Sequence, residues 1–202
     1  MIIPEEILSH FNAQFQDYSK DDYIFYEDEP ANYYYQVITG SVKMSSYSLN
    51  GQEFIQGVFK PGESFGEPAI FGDFLYPNNA IAMEDCQLAR LPKDIFFEIL
   101  KKHFEIHLKF SHIMSNRLRY KAVLLKEISS YCPDHIILTL LRYMRESSGH
   151  SKSDKYQVPY TRQQIADMTG LRVETVIRNV KKLQKEGKVL IENHKIVLPE
   201  NI

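Results

Sequence analysis

TRQQIADMTGLRVETVIRNVKKLQKEG, residues 161–187, is the stretch whose reading decides the fold. It reads as two helices joined by a tight turn at Gly170, where a residue without Cβ lets the chain reverse at no steric cost. At about 100° per residue, the second helix puts Val173, Val176, Val180 and Leu183 on one side and Glu174, Arg178, Lys181 and Lys185 on another. An apolar stripe backed by a mostly cationic face, with a Glu and an Arg four residues apart near the helix start, suits a DNA major groove. A solvated surface helix carries the same pattern, so the flanks decide between the two. Upstream, Thr161 can cap a first helix whose Ile165, Ala166 and Met168 face inward, and the small Ala166 allows a close helix crossing. Downstream, Gly187 can end the second helix, and VLIENHKIVL follows as two β-rich runs around a polar Glu192-Asn193-His194-Lys195 turn. Helix, turn, helix, hairpin is the order of a winged helix.

Charge is divided unevenly along the 202 residues, whose formal net charge is −2. From residue 150 onward there are ten Lys and Arg against six Asp and Glu, whereas the remainder carries 14 against 20. A basic module on an acidic body is expected when only the module meets phosphate. A hydrophobic content of 44% leaves room for two modest domains with real cores. The start, MIIPEEILSHF, has no cationic leader pattern, and no segment approaches the ~18 apolar residues of a membrane span. The expectation is a soluble cytoplasmic protein with no membrane partner. Cys86 and Cys132 stand apart rather than in CxxC pairs, which fits reduced thiols better than a disulfide framework or an iron–sulfur cluster.

From about Asp17 to Leu91, short β-rich runs (YIFY, YYYQVITGSVKMSSY, EFIQGVF, CQLARL) alternate with turn residues at Glu27-Asp28-Glu29-Pro30, Leu49-Asn50-Gly51-Gln52, Lys60-Pro61-Gly62-Glu63 and Tyr76-Pro77-Asn78-Asn79. Strands at this spacing predict a sandwich or barrel, and Asn50-Gly51 is the strongest hairpin signal among them. An enzymatic metal roll would need a histidine set, but no histidine lies between His10 and His103. His103 and His107 stand four apart, a spacing that an exposed helical face explains without a metal.

Beyond Pro92 the periodicity becomes helical. Met114, Leu118, Lys121, Leu125 and Ile128 step by four and three in alternation, and Phe110, Ile113 and Leu124 supply a second apolar flank. One face can pack on the β-rich domain and the other on the same helix of a second subunit. Cys132-Pro133-Asp134 then breaks the helix, and Pro133 suits the first turn of the next one.

This order resembles, over nearly the whole chain, the bacterial regulators of the cyclic-AMP receptor protein and fumarate–nitrate reductase regulator (Crp/Fnr) superfamily. The resemblance is carried by Val37-Ile38-Thr39-Gly40-Ser41-Val42-Lys43, Pro61-Gly62-Glu63-Ser64-Phe65-Gly66-Glu67, Asn116-Arg117-Leu118, Thr161-Arg162-Gln163-Gln164-Ile165-Ala166 and Val173-Glu174-Thr175-Val176-Ile177-Arg178. It implies an α+β fold. An N-terminal double-stranded β-helix, a cyclic-nucleotide-binding-like β-roll, would occupy residues 1–102; a dimerisation helix and hinge would span 103–131; a winged helix-turn-helix would occupy 132–202. It also implies a homodimeric transcription regulator on a palindromic double-stranded DNA site, with RNA polymerase as a partner and no catalytic residues. Glu174 and Arg178, with Val173 and Ile177 beside them, are implied as base readers, and Arg162, Gln163 and Thr175 as phosphate contacts. Lys181, Lys182 and Lys185 would add phosphate steering.

The sensor departs from the family pattern. Cyclic-nucleotide binders follow Gly-Glu with an Arg-Ser that clamps the phosphate; here Gly66-Glu67 stand, but Tyr76-Pro77-Asn78 occupy roughly the Arg-Ser position. A phosphodiester would meet a Glu and no paired cation, so cyclic AMP is not the expected effector. No cysteine precedes Cys86, so the cluster of the fumarate–nitrate branch is not expected either. An effector pocket would draw on Gly66, Glu67, Asn78, Asn79 and Lys121, with the small-molecule ligand, if there is one, left open. Lys121 could pair with Glu67 or with an anionic ligand, or could set helix register. The competing class is a ligand-binding roll whose winged helix contacts protein, which predicts binding with little salt dependence.

Overall fold

Turn chemistry and two-sided burial build the N-terminal part of the computed structural model. Its elements are α1 (Glu5–His10), β1 (Gln14–Tyr18), β2 (Tyr23–Phe25), β3 (Tyr33–Thr39), β4 (Val42–Tyr47), β5 (Glu53–Phe59), β6 (Ser64–Phe65), α2 (Glu67–Gly72), β7 (Asn79–Ala82), β8 (Cys86–Pro92) and α3 (Lys93–Lys102). The structure describes all residues except Leu49, Asn50, Ser130, Tyr131, Lys152 and Asn201, and leaves out the side chains of Glu127, Ile128 and Ser129. The strands form two four-stranded antiparallel sheets, β1-β8-β3-β6 and β2-β7-β4-β5, which together make the expected roll. β4 pairs with β5 from Val42↔Phe59 to Tyr47↔Glu53 as a hairpin, although Asn50 of the expected Asn50-Gly51 turn lies outside the described residues.

Tyr34, Val37, Leu88, Ala89 and Leu91 are all completely buried, because β3 and β8 are covered on both faces. One face meets the opposite sheet; the other is covered by α3 and the start of the long helix α4 (Phe104–Ser129). Tyr34 stacks on Phe96 of α3 with ring centroids 4.5 Å apart, and Phe110 of α4 meets Phe96 edge-on at 5.2 Å. Aromatic pairs in such arrangements add about 0.5–1.5 kcal/mol beyond burial. The chain divides inside α4 into two compact units, Met1–Met114 and Ser115–Ile202.

The second unit contains the rest of α4, then α5 (Pro133–Ser147), β9 (Tyr156–Gln157), α6 (Arg162–Thr169), α7 (Val173–Lys185), β10 (Leu190–Glu192) and β11 (Lys195–Leu198). Pro133 opens α5 as expected, with Cys132 as an extended cap residue. Ile137 and Leu141 of α5, Ile165 of α6, Val176 and Leu183 of α7 and Ile196 of β11 are buried to about 1% exposure or less and form its core. Each such aliphatic side chain contributes roughly 1.5–3 kcal/mol on burial. A three-stranded sheet, β10-β11-β9, closes the unit, so the expected hairpin gains Tyr156–Gln157 as a third strand. Arg145, fully buried on α5, donates to the carbonyls of Pro199 and Ile202 and ties down the chain after β11. Tyr120 of α4 stacks on Tyr143 of α5 at 3.7 Å, and this burial pushes the Tyr120 hydroxyl pKa up.

α4 carries an uncovered apolar row. Leu118 and Leu125, seven residues apart, are 70% and 68% exposed, and Leu108 is 54% exposed. Met114 and Lys121 continue the expected seam, while the side chain of Ile128 lies outside the described residues. His103 and His107 do not share a helix: His103 is the cap residue between α3 and α4, and its Nδ1 lies 3.2 Å from Glu105. Among the described residues, no group of three or more His, Cys, Asp or Glu is placed to hold a metal ion, and no helix is long and apolar enough to cross a membrane.

Candidate nucleic-acid interface

α6 begins with a reciprocal capping box. Thr161 Oγ1 accepts from the Gln164 amide at 3.2 Å, and Gln164 Oε1 accepts from the Thr161 amide at 2.9 Å. This satisfies two amide donors that a helix start leaves unpaired and fixes the angle at which the helix enters. Gly170 ends α6 at φ +69°, a left-handed position where a side chain would strain the backbone. The chain therefore turns at once into α7, with Arg172 extended as its cap residue.

Val176, Asn179, Val180 and Leu183 bury one side of α7, and the Asn179 amide donates to the Thr175 carbonyl at 2.8 Å. Glu174, Ile177, Arg178, Lys181 and Lys185 are exposed on the side away from that core, with Val173 and Thr175 half-buried at its margins. Glu174, Arg178, Lys181 and Lys185 fall within about 60° of one another on a helical projection. A Glu and three cations therefore share one protruding ridge.

The remaining predicted phosphate contacts are placed differently. Gln163 is exposed, and its Nε2 donates to Asp167 at 2.8 Å. Arg162 Nη1 donates to the backbone carbonyl of His194, in the turn between β10 and β11. Lys182 stands off the ridge: its Nζ is 2.6 Å from Asp134 at the start of α5 and 3.9 Å from Glu186. Lys182, named with Lys181 and Lys185 for phosphate steering, therefore carries an ion pair to Asp134 in this structure.

The Lys182 hydrogen bond holds the Asp134 carboxyl below its usual range, opposed by the desolvation of a residue only 8% exposed. A carboxylate whose folded pKa is depressed stabilises the fold above its unfolded pKa and loses that contribution as pH falls through the folded value. Asp134→Asn is expected to lower the melting midpoint at pH 7, and the difference from wild type is expected to vanish as pH falls through the depressed folded pKa of Asp134, below which both side chains are neutral. Thermal melts across pH check this; a difference that persists undiminished in acid would show that the ion pair is not its source.

Of the expected effector residues, Gly66, Glu67 and Asn78 are buried in the roll and Asn79 is half-buried there. Gly66 caps α2 at φ +78°, and Glu67 is fully buried with Ser64 Oγ donating to it. Tyr76 is 2% exposed; it stacks on Phe25 at 3.6 Å, and its hydroxyl donates to the Tyr33 carbonyl at 3.0 Å. Tyr35 stacks on Phe65 at 5.6 Å and lies 5.7 Å from Phe25, and burial pushes its hydroxyl pKa up to about 12. A Cβ on Gly66 would come within 3.0 Å of the Tyr76 ring and 3.3 Å of Phe25, so the rings abut the Gly66-Glu67 backbone. Asn78 is 6% exposed with no hydrogen-bond partner for Oδ1, while Asn79 bridges the Glu27 amide at 3.0 Å and the Ser45 carbonyl at 3.3 Å. Lys121 belongs to the other unit, where burial and the Arg117 charge lower its ammonium pKa. The aromatic cluster itself was missed in the sequence; its signal was Tyr76, standing where the family pattern has its phosphate-clamping Arg-Ser.

Comparison with known proteins accords with this architecture. The family model for a cyclic nucleotide-binding domain matches residues 15–103, and that for a Crp-like helix-turn-helix domain matches residues 135–200. The chain is 24% identical over 201 residues to the HTH-type transcriptional regulator ArcR of Staphylococcus epidermidis, covering 96% of this chain and 86% of that protein. It is 26% identical over 193 residues to the cyclic AMP receptor protein of Thermus thermophilus, covering 93% and 85%. The solved structure of FixK2 from Bradyrhizobium japonicum superposes with a TM-score of 0.74 at 25% identity, covering 94% of this chain and 93% of that one. The chain belongs to the Crp/Fnr family of DNA-binding transcriptional regulators.

Proposed function

We propose that this regulator acts as a homodimer on a two-fold symmetric DNA site, with α7 of each subunit in a major groove. The observation that carries the reading is the α7 ridge: Glu174, Arg178, Lys181 and Lys185 exposed directly opposite Val176, Val180 and Leu183. Arg178 can present two donors to guanine O6 and N7, and Glu174 can accept from cytosine N4. Ile177, 42% exposed beside them, suits a thymine methyl, and Val173 lies at the edge of the same ridge. Gln163, Thr175, Lys181 and Lys185 hold or steer phosphates. The exposed Leu118 and Leu125 of α4 are the dimer seam.

Control comes from the state of the roll. Its interior at Gly66-Glu67 is filled by Phe25, Tyr35, Phe65 and Tyr76, which favours an effector other than cyclic AMP or a switch that needs none. RNA polymerase is the downstream partner on this reading.

Salt titration of duplex binding is the test. A dimer making about six to ten phosphate contacts loses roughly 10³–10⁵ in affinity between about 50 and 200 mM salt. That steep, linear dependence of log affinity on log salt is the expected result. Binding that stays flat with salt would instead assign the winged helix to a protein partner.

A further inference from the structure

Two residues close the β10–β11 turn, Asn193 at φ +46° and His194 at φ +63°. Left-handed conformations at both central positions mark the hairpin turn whose favoured pair is Asn-Gly. Asn tolerates that conformation; His, with a Cβ and a ring, enters it at a cost. The turn is exposed from Glu192 to Lys195, and the last cross-strand pair before it is Glu192↔Lys195. His enters the left-handed region more readily than most residues with a Cβ, but Gly is what the second position of this turn favours.

Arg162 supplies the missing restraint. It is the first residue of α6, which the Thr161–Gln164 capping box holds in place, and its Nη1 donates to the His194 carbonyl across 32 residues of chain. A guanidinium bond to a carbonyl is charge-assisted and shorter and stronger than one between neutral groups. It joins the first helix of the DNA-reading pair to the tip of the wing. A second tie, Lys155 Nζ to Glu192 at 2.8 Å, holds the wing from the β9 side.

We propose that Arg162 is a positioning residue of the DNA interface: it clamps the wing turn in its left-handed form and acts on DNA through the wing, not by holding a phosphate. The inference rests on the DNA-binding reading above, and the clamp is tested separately from it. The wing tip then meets DNA preformed, with the exposed Lys195 already placed, so that less chain ordering is charged to binding.

The experiment compares wild type, Arg162→Ala and the double variant Arg162→Ala/His194→Gly. Amide hydrogen exchange over residues 190–198 is measured without DNA, and duplex affinity at fixed salt. Arg162→Ala is expected to speed wing exchange and to weaken duplex binding. The His194→Gly change, by giving the turn its favoured Asn-Gly pair, is expected to slow wing exchange again and to recover most of the lost affinity. A phosphate-holding Arg162 predicts otherwise: unaltered wing exchange in Arg162→Ala, and a loss of affinity that His194→Gly does not recover; that result overturns the proposal. If the wild type binds no duplex at all, the DNA reading fails, and the exchange comparison alone still decides the clamp.

Discussion

Arg178→Ala is expected to abolish discrimination at one G·C pair in each half-site while leaving the fold intact. Arg178 is exposed on α7 and contributes nothing to the core, so its removal opens no cavity. A bidentate Arg–guanine contact provides about 1–3 kcal/mol of discrimination, or roughly 5- to 150-fold per half-site, and a symmetric dimer makes the contact twice. Gel-shift competition between the preferred duplex and one altered at that pair reads the effect: the wild type favours the former strongly, and the variant binds both alike. A variant that still distinguishes them would remove Arg178 from the reading set. Lys185→Ala serves as the contrast, weakening all sequences together and reducing the salt slope by about two contacts, one per subunit.

Leu118→Glu combined with Leu125→Glu is expected to convert the protein to a monomer and to cost more affinity than any single base contact. Both leucines are more than two-thirds exposed in one chain, a costly arrangement for apolar side chains seven residues apart on a 26-residue helix. Pairing the seam in a dimer buries four leucines, and charged replacements would face their like across it. Losing the second half-site removes the avidity of linked binding, about 10²–10⁴-fold. Light scattering or sedimentation gives the mass; a double variant that stays dimeric would place the interface elsewhere. The stability of each unit should change little, because neither side chain is part of a core.

The helix-turn-helix was legible because its signals are local. Thr161 caps the first helix, Gly170 supplies the left-handed turn, and the burial of Val176, Val180 and Leu183 follows a 3.6-residue period, while the reciprocal bond from Gln164 became visible only in the structure. The hairpin β4–β5 and the pair β10–β11 were legible for the same reason, each flanked by turn residues. Strands that depend on distant partners were not. β7, Asn79–Ala82, has two alanines and weak strand propensity, and it is extended because β2 and β4 pair with it on both sides. β9 has two residues and exists through its pairing with Val197 and Leu198.

Within the candidate site, the helical projection anticipated that Glu174, Arg178, Lys181 and Lys185 are exposed together, but it carried no information on side-chain partners. Lys182 carries the same charge as Lys181, and only the fold brings Asp134, 48 residues away, to its ammonium. Arg162 likewise gives no sign in the sequence that the His194 carbonyl lies at its guanidinium. The filling of the roll by Tyr76 and Phe25 is a contact between rings 51 positions apart, and the departure from the family's Arg-Ser was its only trace.

The most direct measurement is selection of bound duplexes from a random pool by the wild-type protein, followed by sequencing. A two-fold symmetric motif is predicted, with half-site centres about one helical turn, 10–10.5 base pairs, apart and a G·C pair in each half that disappears when Arg178→Ala is used instead. A pool that shows no enrichment, or a motif that Arg178→Ala leaves unchanged, would contradict the account.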